Sequence, residues 1–141
     1  MATYNKFQQF VENLCKGVFD FSSDSSCSVT VALTNTQPDA AADAVLADLA
    51  GEITYTNLSS RVVTGITAEH TTGTVTLTAT DLVLTSSGGT TGPFRYVVIY
   101  DDDPTSPADP LIAWWDYGSS ITLQDGETLT LDFTTGIFTL A

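Results

Sequence analysis

The stretch Ser28-Val29-Thr30-Val31-Ala32-Leu33-Thr34 decides the fold class. Val29, Val31 and Leu33 alternate with Thr30, Ala32 and Thr34, the period of two that a half-buried β-strand requires. Pro38 ends the run. Segments rich in β-branched and aromatic residues recur after it: Val62–Ile66, Thr74–Thr78, Asp81–Thr85, Phe94–Tyr100, Leu111–Asp116, Ile121–Leu123, Thr128–Phe133 and Ile137–Leu140. Turn residues separate them, among them Gly73, Ser87-Gly88-Gly89, Gly92-Pro93, Pro104, Pro107, Pro110, Gly118, Asp125-Gly126 and Gly136. No helical pattern recurs between these strands, which argues against βαβ units. The expectation is a mainly β chain: an antiparallel β-sandwich or barrel with an N-terminal amphipathic α-helix, forming one domain over residues 1–141.

Upstream of this alternation the period is helical. Phe7, Phe10, Val11, Leu14 and Val18 fall on one face, with Lys6, Gln9, Glu12, Asn13 and Lys16 on other positions. Thr3 is the expected N-cap, and Gly17 with the Ser22–Ser26 cluster is expected to close the element. Such a stripe must pack on something; a sheet face of the same domain is expected, with an arm that clasps a neighbour as the alternative. Asp39–Ala50 reads as a short helix or an ordered loop anchored by Val45, Leu46 and Leu49.

At 43% hydrophobic and 15% charged residues, the 141-residue chain has enough apolar material for its own core. Its charge is lopsided, with 17 acidic residues against 4 basic ones and a formal net charge of −13. A phosphate backbone or an anionic membrane needs Lys and Arg, so neither nucleic acid nor membrane is an expected partner. A dispersed acidic surface or a complementary basic partner accounts for the balance. The opening Met1-Ala2-Thr3-Tyr4-Asn5-Lys6 leads into no apolar signal region, so synthesis in the cytoplasm is expected.

Candidate chemistry is sparse, and no cofactor is expected. His70 stands in Ala68-Glu69-His70-Thr71-Thr72-Gly73, read as an exposed loop before a strand; no serine has a nucleophile elbow around it. Cys15, Cys27 and His70 lack the paired spacing of zinc ligands. Cys15 is expected on the buried side of the helix, although the spacing also permits a Cys15–Cys27 bridge. The glycines of Gly88-Gly89-Thr90-Thr91-Gly92 lack the lysine of a phosphate loop and read as a turn. Asp101, Asp102 and Asp103 are weak candidates for calcium, since they lack the ligand spacing of a recognised loop. Two carboxylates, Asp103 and Asp116, are the pair a carbohydrate-active enzyme would use. The adjacent Trp114 and Trp115 must point to opposite faces of a strand, so one can fill the core and the other covers a second layer, packs under a loop or sits in an interface. Both are interface candidates.

Larger stretches of the sequence resemble a family of small virion-associated proteins of tailed bacteriophages. They are Ala2–Phe7 with Phe10–Leu14, Val31–Thr36, Val45–Leu49, Ile53–Tyr55, Gly92–Val98, Asp109–Ile112, Trp115–Ser120 and Asp125–Thr128. Cys15, Cys27 and the Arg61–Thr80 region lie outside the likeness. The resemblance implies a head decoration or cement protein on the capsid surface of the virion. Its partner would be the major capsid protein, with self-association on the shell. Arg95 falls within the matching residues and joins the interface candidates, pairing with an aspartate being its simpler role. A tail or fibre protein that binds a host receptor is the alternative from the same particle.

Overall fold

The structure is a computed structural model that describes residues 2–23 and 26–141. Its centre is a ribbon of two long strands, β6 (Thr91–Asp101) and β7 (Leu111–Leu123). Val97, Val98, Ile99 and Tyr100 make β6 a near-continuous apolar run, as expected of a strand covered on both faces. The connection between them carries Pro104, Pro107 and Pro110, which cannot extend a ladder. Two further strands, β1 (Tyr4–Lys6) and β2 (Val29–Thr34), complete an antiparallel sheet of order β1-β7-β6-β2.

All six residues of β2 are buried, not every second one. Both faces of the sheet are therefore covered. On one face Thr34 Oγ1 donates to the Ala50 carbonyl at 2.6 Å, which ties down the loop that follows β2. On the other, Val97 pairs with Trp115, whose ring meets Phe133 at 6.2 Å. The outer edge of β2 is covered by irregular chain: Val31 N–H donates to Arg61 O, Val63 N–H to Val29 O and Ile53 N–H to Leu33 O. The stretch read as a Val62–Ile66 strand is thus an edge cover with a single bridge, Thr30 to Val62. Asp39–Ala50 is an ordered loop with a turn closed by Asp43 N–H on Asp39 O, a bridge from Val45 to Pro110 and a short 3-10 turn, Leu46–Asp48.

Five shorter strands form two smaller antiparallel sheets. The first has the order β3 (Thr67–Thr71), β4 (Thr74–Thr78), β9 (Phe138–Leu140); the second pairs β5 (Leu82–Thr85) with β8 (Thr128–Leu131). The architecture is mainly β with antiparallel sheets, and none of them closes into a barrel. Gly88-Gly89 turns the chain between β5 and β6, as the sequence implied.

Helix α1 runs only from Gln8 to Cys15, with Phe7 at its N-cap. Thr3 does not cap it, because β7 captures residues 4–6 as an edge strand first. The end is a Schellman motif: Val18 N–H donates to Asn13 O, Gly17 N–H to Leu14 O, and Gly17 takes a φ of +72°. The helix therefore stops before the serine cluster Ser22–Ser26, of which residues 24 and 25 lie outside the described ones. Phe7 and Phe10 are buried, and Leu14 and Val18 half-buried. The face is rotated from the expected one. Asn13 is buried in place of Val11, with its Nδ2 unpartnered, and Val11 is 42% exposed. Cys15 is exposed and free, so it neither fills the core nor bridges to Cys27.

Candidate functional site

The Trp114-Trp115-Asp116-Tyr117 stretch of β7 is where the sheet stops being regular. From Ala113 to Asp116 the pairing is simple: Ile99 faces Ala113, Val98 faces Trp114, Val97 faces Trp115 and Tyr96 faces Asp116. The next pair is Phe94 with Ile121. Four residues of β7, 117–120, thus oppose one residue of β6, Arg95. This is an enlarged bulge, bigger than the usual two-against-one kind, and Gly118 at φ +101° allows its turn.

Arg95 braces the bulge. Its Nε donates to Asp116 Oδ1 at 2.7 Å and an Nη to Oδ2 at 2.8 Å, a two-pronged pair. Gly118 N–H adds a third bond to Asp116 Oδ1 at 2.8 Å. These contacts, the Arg95 bonds first, hold the Asp116 carboxyl below its usual range. Ser120 Oγ bonds Asn35 Oδ1 and ties the far side of the bulge to the loop after β2. Arg95 and Asp116 side chains are 39% and 33% exposed, so solvent screens the pair and its role is to fix geometry, not to add stability.

The two tryptophans divide as their opposite directions require. Trp114 is 8% exposed, with the Tyr96 ring edge-on at 5.7 Å. Its Nε1 is buried without an acceptor. Trp115 is half-buried and covers the second layer, edge-on to Tyr4 at 5.8 Å and against Phe133. Tyr117 stands on the bulge at 51% exposure.

Between this edge of β7 and the chain around β8 lies an open groove of about 800 Å³. Trp115 and Tyr117 line one side, Leu129, Leu131 and Phe133 the other. Among the described residues, the charged ones lining it are Asp116 and Asp132, with no Lys, Arg or His. Asp132 Oδ1 accepts from Thr134 Oγ1 and Thr135 N–H and shapes the turn at the groove's end. A second groove of about 560 Å³ runs between α1 and β9, past Val11 and Leu140.

The structure gathers Trp114, Trp115 and Arg95 around one feature, the bulge and its groove. Leu129, Leu131 and Asp132 were missing from the sequence reading as site residues, and the β8 stretch gave no signal for them. The other candidates lie apart. His70 sits in β3, an exposed edge strand, not in a loop. Asp103 and Asp116 do not make an acid–base pair: the strand from Tyr96, beside Asp116, to Asp101 spans about 17 Å, beyond the roughly 5–10 Å such chemistry needs. Among the described residues, no group of three or more His, Cys, Asp or Glu side chains is arranged to hold a metal.

Asp101 has a structural role instead. It is 1% exposed, and its Oδ1 accepts the N–H groups of Ser28 at 2.9 Å and Asp103 at 3.2 Å. Its Oδ2 is buried without a partner. Burial pushes its carboxyl above the usual range, and Asp109, partly buried beside Asp102, shifts the same way. An acid with a raised folded pKa holds its proton where the unfolded chain has lost it. Stability therefore falls as pH rises from about 4 through the folded pKa. Asp116, Asp81 and Asp48 are shifted the other way by hydrogen bonds, so their contribution is lost as pH drops below about 4. The denaturation midpoint should peak on the acid side of neutrality. Asp101→Asn should lose this component and show a flatter stability profile as pH rises from about 4. Urea midpoints across that range decide it; superimposable profiles would remove Asp101 as a cause.

Comparisons with protein-family models, with curated proteins and with solved structures return no match.

Proposed function

We propose that the chain is a non-catalytic binding module that docks on a protein surface, and that its setting is a phage capsid, where it decorates the major capsid protein and stabilises the shell. The observation that carries the docking half is the groove: an open, aromatic-lined channel on a strongly acidic molecule. Its carboxylate Asp116 is already saturated by Arg95 and Gly118. Aromatic side chains at an accessible edge are the usual anchors of protein interfaces. Both lining carboxylates are held by hydrogen bonds within the chain, Asp116 by Arg95 and Gly118 and Asp132 by Thr134 and Thr135, which favours recognition over acid–base chemistry. The capsid half comes from the resemblance in the sequence, which covers Gly92–Val98 and Trp115–Ser120, the residues that build the bulge.

A net charge of −13 fits this role. It keeps many copies dispersed before assembly and steers them to a complementary surface. A molecule that bridges neighbouring subunits binds the assembled shell and not dissociated subunits, so mass action stabilises assembly. Purified protein should bind expanded shells stoichiometrically and raise their resistance to heat. Association should slow as salt rises, because exposed charges are screened beyond about 8 Å at physiological ionic strength. Copy number in purified particles is the test. Hundreds of copies with added shell density support decoration; a few copies at the tail would sink it in favour of receptor binding.

A further inference from the structure

We infer that the groove beside the β7 bulge receives an extended, Arg- or Lys-bearing segment of the partner protein, laid along the free edge of β7 with a cation over Tyr117 and Trp115. The inference deepens the proposed function and rests on its premise that this groove is where the chain docks. Three observations carry it. First, the edge is open: β1 pairs only with Ala113, Trp114 and Trp115, so among the described residues no strand lies outside β7 from Asp116 onward. Open edges accept an added strand through main-chain bonds. Second, aromatic rings at the edge are attractive seats for a cation. Third, the charge is one-sided. Asp132 lies in the lining and Asp81 beside it, bonded to the N–H groups of Phe133 and Thr134, with no Lys, Arg or His among the described lining residues to offset them.

The same charge argues against a second copy as occupant. The chain has 4 basic residues. Lys16 pairs with Glu12 and Arg95 with Asp116. Arg61 lies 3.7 Å over the Tyr55 ring and donates to Val31 O. Lys6 faces the other groove. Little remains to offer another copy's acidic groove, and two molecules of charge −13 repel.

The test uses the full chain and two fluorescent nonapeptides, one alternating Arg and Val, the other Glu and Val. At low salt the Arg peptide should bind saturably, about tenfold or more tighter than the Glu peptide. It should quench or shift tryptophan emission, and that response should be lost in Trp115→Phe. Tyr117→Ser and Asp132→Asn should each weaken it about tenfold, with melting temperatures near wild type. Glu69→Gln, an equal charge loss on β3, should leave it unchanged. Equal binding of the two peptides overturns the inference, as does equal loss in Glu69→Gln and Asp132→Asn. So does preference for a neutral oligosaccharide over the Arg peptide. Shell binding separates the two levels. If Tyr117→Ser and Asp132→Asn bind shells as wild type does, the inference falls and decoration stands. If wild type binds the Arg peptide but not shells, decoration falls and the groove's preference stands.

Discussion

Phe10→Ala is expected to lower stability by about 3–5 kcal/mol. Phe10 is 2% exposed, with the Phe19 ring 5.2 Å away and the Phe138 ring 5.4 Å away. Truncation leaves a cavity among rings that belong to three separate parts of the chain: α1, the segment after it, and β9. Each aromatic pair adds about 0.5–1.5 kcal/mol beyond the area it buries. Domains of ordinary stability have only about 5–15 kcal/mol in total. The variant should therefore melt far lower, or fail to accumulate. Val11→Ala, one residue on, is the control: Val11 faces the open groove and should cost under about 1 kcal/mol. Equal melting temperatures for Phe10→Ala and wild type would mean that the helix is not docked on the body and works as a free arm.

Gly92→Ala is the second large effect, about 2–4 kcal/mol, from two sources that a control separates. Gly92 has φ +124°, where a side chain is strained by about 1–3 kcal/mol. An added Cβ would also lie 2.9 Å from the Ile121 carbonyl oxygen and 3.1 Å from Thr122 Cα. Both atoms are backbone of β7, so relief requires the ribbon itself to shift. Gly118 also has a positive φ, +101°, but an added Cβ there meets nothing within 4 Å. Gly118→Ala reports the backbone cost alone, and Gly92→Ala should exceed it in chemical denaturation. Equal costs would show that β7 yields at Ile121 without penalty.

How much of this was legible depends on where information sits in a chain. The two central strands were readable because apolar β-branched and aromatic residues concentrate there. The turns were readable because Gly and Pro act locally. Burial of both faces of β2 was not, since Thr30 and Thr34 look like solvent residues until Ala50 supplies a carbonyl. β1 was lost to the helix pattern: Tyr4-Asn5-Lys6 becomes a strand only because β7 offers an edge far along the chain. β3 was read as a loop because Glu69 and His70 are polar and every residue of it is exposed. For the site, Trp114, Trp115 and Arg95 were visible as residue types. Their meeting around one bulge was not, because the register jump between Tyr96 and Phe94 exists only once β6 and β7 pair. The Arg95–Asp116 pair shows the limit well: many aspartates were available, and only register selects one.

The strand pairings also set a timetable. Residues 4–6 must wait for residues 113–115 before they have a neighbour, and β4 must wait for β9. At about 5–20 residues per second of translation, the first of these gaps lasts roughly 5–20 s. Contacts so distant along the chain also make folding slow once synthesis is over. For most of that interval the apolar strand β2 waits without β6, and at its end both exist on a nascent chain whose Phe133 and Phe138 have not yet been made. Glu12, Asp20 and the acidic residues 39–48 emerge early and flank β2, so like-charge repulsion between neighbouring nascent chains protects the exposed strands until the ribbon closes.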